Sequence, residues 1–165
     1  MSSARIDVQR IAWRQILLGG LIVALGDFIF ATTLWFGWTL PGFIRLFQTI
    51  AVGVLGQASY DGGAAAAWLG AGLHLFMATM FVVVYVFAGR RVPSLLEKPF
   101  AYGAAYGVVL YVVMNFVVMP LSRVDASPSF EHPDWIFYSA IAHMLFGVIC
   151  VLFARRALRP RSEAA

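Results

Sequence analysis

Four long apolar stretches, at residues 16–38, 64–87, 100–119 and 136–153, constrain this chain more than any other feature of its sequence. At about 1.5 Å of helical rise per residue each can cross the roughly 30 Å hydrocarbon layer of a bilayer. Apolar side chains run all the way round each stretch, so none has the polar face that a helix needs in water. In lipid the backbone N–H and C=O groups must be satisfied within the segment, which leaves the α-helix as the form these stretches take. Composition agrees: of 165 residues, 61% are hydrophobic and 12% charged, against roughly 25% charged in soluble domains. The fold class expected is all-α: a single polytopic domain over residues 1–165, built as a bundle of four transmembrane helices.

The segment 43–59 is apolar but carries Arg45, Gln48 and Gln57. Basic residues accumulate on the cytoplasmic side of membrane proteins, so charge counting decides its status. With four spans, Arg5, Arg10, Arg14, Arg90, Arg91, Lys98, Arg155, Arg156, Arg159 and Arg161 fall on one side and Arg45 and Arg123 on the other, a split of ten to two. A fifth span would move seven of the ten across. Segment 43–59 is therefore expected to be an interfacial or re-entrant helix on the outer side, with both termini in the cytoplasm. Pro41-Gly42, Arg90-Arg91 with Pro93, Pro120, and Arg155-Arg156 are expected to close the four spans in turn. Trp13, Trp35, Trp38, Trp68 and Trp135 lie near span ends, where amphipathic rings sit at headgroup level. The apolar run from residue 16 is longer than the core of a signal peptide and reads as a retained span.

Net charge of +4 arises from short clusters beside the spans and forms no continuous basic face, so nucleic acid is not an expected partner. Lipid is. The sequence has no nucleophile elbow, zinc-protease helix motif, P-loop or dinucleotide fingerprint, so the chain is not expected to be an enzyme. Cys150 stands alone and can form no internal disulfide.

Ionisable groups within spans are expensive to bury and mark candidate sites. They are Asp27, His74 and His143, with Asn115 as a nearby amide. Helical rise places Asp27 and His74 about 15 Å from the outer ends of their spans, His143 about 10 Å and Asn115 about 6 Å. Each sits on a four-residue stripe of small or polar positions: Gly19, Val23, Asp27, Ala31; Ala66, Gly70, His74, Ala78; Gly103, Gly107, Tyr111, Asn115; Ser139, His143, Gly147. Small residues face neighbouring helices in lipid, so the polar residues are expected to converge inside the bundle. Two readings stay open on the residues alone. The cluster only specifies helix packing, or it is a site: a proton relay, a divalent metal such as zinc held by His74, His143 and Asp27, or a b-type haem with His74 and His143 as axial ligands. Arg45 snorkels to headgroups, neutralises Asp27 or attracts an anion. The bound solute or ion has no signature, and four helices leave room for assembly as a homo-oligomer.

Three features resemble the small bacterial inner-membrane proteins grouped with YagU: His74 leading HLFMATMFVVVYVFAGRRVP, a glycine-bearing third span ending in Met119-Pro120-Leu121, and Ala142-His143 in a fourth span followed by ARRALR. The likeness covers roughly residues 64–159 and implies a polytopic protein of a bacterial inner membrane. It carries no molecular activity with it.

Reporter fusions test this topology. Those after Ala88 and Ala157 should report cytoplasm and one after Asp125 the outer side; an external signal at Ala88 would overturn the four-span reading.

Overall fold

The computed structural model describes residues 11–124 and 133–159 of the chain, so Arg5, Arg10, Arg161 and the loop acids Asp125 and Glu131 with His132 lie outside the described residues. The described residues are all-α, with no strand among them. Helix α1 spans Trp13–Ala31 and continues as a π-turn over Thr32–Phe36; α2 spans Leu40–Leu55; α3 spans Gly63–Arg91. Helix α4 spans Pro99–Val113 and continues through a π-turn, Met114–Val118, to Leu121, and α5 spans Pro133–Ala157. Short 3₁₀ turns at Gly56–Asp61 and Pro93–Leu96 join α2 to α3 and α3 to α4.

Four helices are long and apolar enough to cross a membrane: Trp13–Phe36, Gly63–Arg91, Pro99–Leu121 and Pro133–Ala157. They match the expected spans and run a few residues longer, most of all α3, whose last turn includes Arg90 and Arg91. Cations there complement the negative end of the helix dipole, and the helix ends with them, at Arg91, two residues before Pro93. Pro41-Gly42 does not close the first span. Gly37, with φ +74°, ends it, and Pro41 instead sits in the first turn of α2, where its missing N–H costs nothing. Thr39 caps that turn, its hydroxyl accepting the Gly42 N–H at 3.1 Å. Nor does Pro120 end the third, since the chain stays helical to Leu121. Helix α2 has segregated polar and apolar sides, unlike the spans, and at about 1.5 Å per residue its 16 residues are too short to cross a bilayer.

Helices α1, α3 and α5 pack pairwise into a core, α4 lies along α5, and α2 lies along α3. Ile16, Val23, Val82, Val86, Cys150 and Val151 fill the centre of that core. The α4–α5 seam is the tightest. A Cβ on Gly147 would strike the Gly103 carbonyl oxygen and Gly107; one on Gly107 would strike the His143 carbonyl; one on Gly103 would strike the backbone of Val148. Helix α2 approaches as closely, for a Cβ on Gly70 would meet the Phe47 carbonyl. Such small-residue contacts replace the hydrophobic drive that helices lack in lipid. The Tyr106 hydroxyl donates to the Phe81 carbonyl at 2.8 Å and ties α4 to α3. At the far end the Ala12 N–H donates to the Ala157 carbonyl at 3.0 Å. That bond brings the start of α1 to the end of α5, so Arg14, Arg90, Arg91, Lys98, Arg155, Arg156 and Arg159 share one end of the bundle, while Arg45 and Arg123 sit at the other, with α2. Leu17, Phe76 and Leu145 point outward and are exposed in the isolated chain, as lipid-facing side chains are.

The seam can be tested against an open glycine. Gly147→Leu is expected to destabilise the protein in micelles by roughly 1–3 kcal/mol, the usual range for overpacking. Gly72→Leu, where a new side chain meets nothing within 4 Å, should change thermal unfolding little. Equal effects would contradict the packing described.

Candidate functional site

The glycine seam of α4 and α5 ends at Gly107, and the next residues toward the α2 end are larger. There the Tyr111 and His143 rings meet edge to face at 5.5 Å between centroids. Small residues clamp the helices at one level, and at the next, where larger side chains replace them, a cavity of about 210 Å³ lies between the four spans. Its walls are Val23 and Asp27 of α1, His74, Met77, Ala78 and Phe81 of α3, Met114, Asn115 and Met119 of α4, and Ser139, His143 and Phe146 of α5. Asp27, His74, His143 and Asn115, one from each span, thus line one space.

His74 holds two groups of α1. Its Nε2 lies 2.9 Å from the Ala24 carbonyl; a carbonyl only accepts, so Nε2 carries the hydrogen and donates. Its Nδ1 faces Asp27 Oδ2 at 3.7 Å, longer than a hydrogen bond and within reach through a small shift or one water. One proton shared between that nitrogen and that carboxylate keeps the pair neutral whichever atom holds it, a requirement for two ionisable groups at mid-bilayer. Both residues line the cavity, and the Asp27 side chain, 36% exposed against 14% for His74, is the less enclosed of the two. Phe47 of α2 packs on the other side of the His74 ring at 6.2 Å.

His143 is held differently. Its Nδ1–H donates to the Ser139 carbonyl, one turn earlier, at 2.8 Å. Its Nε2 has no hydrogen-bond partner among the described residues, and no buried side-chain nitrogen or oxygen there lacks a partner, so this nitrogen reaches open space. The Asn115 amide donates to the Tyr111 carbonyl at 2.9 Å, from within the π-turn of α4.

Arg45 is not part of the cavity. Its guanidinium stacks 3.4 Å above the Tyr60 ring, on an exposed face of α2, and so does not neutralise Asp27. Nor do Asp27, His74 and His143 gather into one coordination set: among the described residues no group of three His, Cys, Asp or Glu side chains is close enough to hold a metal ion. Both nitrogens of His74 face α1, whereas the Nε2 of His143 has no partner among the described residues.

The sequence reading passed over the methionines. Met77 was recoverable, three residues after His74 and so on the same helix face. Met119 was recoverable too, one step beyond Asn115 on the stripe Gly103, Gly107, Tyr111, Asn115; Met114 was not, because five residues of ordinary α-helix put it about 140° from Met119. Compared with protein-family models, curated proteins and solved structures, the chain matches none.

A double-mutant cycle on Asp27→Asn and His74→Leu, read by unfolding in micelles, should give a coupling of about 0.6 kcal/mol, with a ceiling near 1.7, as for polar pairs across membrane helices. The cycle of Asp27→Asn with Arg45→Ala should show none. Coupling between Asp27 and Arg45 would contradict the site as described.

Proposed function

We propose that this chain is a non-catalytic, multi-pass protein of a bacterial inner membrane, with both termini cytoplasmic and the α2 end outward, and that its cavity binds a small ion or solute for transport. The gathering of Arg14, Arg90, Arg91, Lys98, Arg155, Arg156 and Arg159 at one end supports the orientation. The resemblance of the His74 and His143 segments to the YagU group supports the location.

A single observation carries the binding reading: the Asp27 carboxyl and the His143 Nε2, on different helices, both open onto one cavity inside the bundle. At about 30 Å³ per water, 210 Å³ holds roughly seven waters. That suits a proton carrier or a partly hydrated ion and not a large solute. Asp27 and His74 form the proton-holding pair, and His143 is the acceptor on the opposite wall. Toward the basic end the cavity meets the packed core of Val82, Val86, Cys150 and Val151, so passage requires that core to move or a second copy to complete the route. Assembly as a homo-oligomer follows from the latter.

The His74 bond to the Ala24 carbonyl favours a second reading, in which the polar cluster only fixes α1 against α3. Flux separates the two. In liposomes enclosing a pH-sensitive dye, the wild-type protein should speed proton or cation entry over protein-free vesicles, and Asp27→Asn and His143→Phe should abolish the gain while remaining folded at the assay temperature. Wild-type vesicles no more permeable than empty ones, with both variants altered in stability alone, would leave packing as the role.

A further inference from the structure

The π-turn of α4 has a consequence for the cavity beyond its acid and histidines. The Met119 N–H bonds to the Met114 carbonyl, an i to i+5 link that stacks residue 119 over residue 114 instead of leaving them about 140° apart around an α-helix. Both methionines then line the cavity, and Met77 of α3 lines it as well. Three methionines, with His143, whose Nε2 has no hydrogen-bond partner among the described residues, therefore line a space that also holds a single lining carboxylate, Asp27, among the described residues.

The geometry points to a copper(I) site in this cavity, made by Met77, Met114, Met119 and His143, with Asp27 as counter-charge. The inference rests on the reading of the cavity as a binding site and names the class of ion it takes. Thioether sulfur is a soft donor that selects copper(I) over the hard cations, which prefer carboxylate, carbonyl and water oxygen. Imidazole nitrogen suits copper as well. Charge points the same way. In a low-dielectric interior an uncompensated charge is expensive; a monovalent ion that enters as the proton shared by Asp27 and His74 leaves to bulk water keeps the site neutral, whereas a divalent ion would leave a net positive charge there. His74, with both nitrogens directed at α1, is not a ligand but the group that positions Asp27. The rival account of the methionines, that flexible side chains fill an irregular gap, predicts no copper(I) binding.

The test uses the full chain carrying Cys150→Ala, purified in detergent without oxygen and titrated with copper(I) against a competing chelator. One equivalent should bind, with sulfur neighbours in the copper X-ray absorption spectrum. The pair Met114→Leu with Met119→Leu is close to volume-conserving and should keep the fold. It should weaken binding at least about 100-fold, since loss of a mere outer-shell partner costs roughly 10–100-fold. Met119→Leu alone gives the same readout should the pair unfold. Met80→Leu, a methionine of α3 outside the cavity lining, should bind as the parent does. No binding by the parent, or binding that survives the Met114 and Met119 changes, overturns the proposal. A chain that fails to bind copper(I) yet still carries protons through Asp27 keeps the cavity as a binding site and rejects copper as its ion.

Discussion

The carbonyl oxygen of Gly103 occupies the place that a side chain on Gly147 would need, and the carbonyl of His143 does the same for Gly107. One turn further on the larger Tyr111 and His143 meet ring to ring instead of backbone to backbone, and the cavity lies at that level, with His143 in its wall. Its position at the depth of Asp27 and His74 follows from where the glycines stop. A side chain added to the seam would push α4 away from α5 and shift the wall that carries Met114, Asn115 and Met119.

Lipid imposes the remaining order. With no water to satisfy a polar atom at mid-bilayer, each polar side chain finds a partner inside the bundle or opens on the cavity. His74 takes the first course through Ala24 and Asp27, and Asn115 does so through the Tyr111 carbonyl. His143 divides the two, with one nitrogen bonded to Ser139 and the other open. The cavity thus presents few free polar atoms against a mostly apolar wall, which is how small ligand sites obtain orientation and selectivity.

Much of this was legible before any coordinates. The spans follow from apolar length, and the convergence of Asp27, His74, His143 and Asn115 from their four-residue spacing to small neighbours, because an α-helix returns to the same face every turn. The boundaries were less so: Pro41 reads as a stop from sequence, yet a proline is equally at home in the first turn of the next helix, and only Gly37 with its positive φ shows where the chain turns. Arg45 lies on α2 as its sequence position implies, but nothing in its neighbourhood announces Tyr60 as its partner, fifteen residues on. Met119 continues the stripe of Asn115 and was simply not followed to its end, whereas Met114 was invisible for a sharper reason: periodicity arguments assume 3.6 residues per turn, and a π-turn breaks that assumption where the site is built.

The two histidines give the most direct test of how the cavity is built, because the structure assigns each ring a different bonded nitrogen. Solid-state nitrogen NMR of the protein in bilayers, with histidine labelled and His132→Gln removing the third ring, reads which nitrogens carry hydrogen. His74 should be protonated at Nε2 and His143 at Nδ1, as their carbonyl partners Ala24 and Ser139 require. A His74 lacking hydrogen at Nε2, or a His143 lacking it at Nδ1, would contradict the arrangement on which the cavity and its proposed use depend.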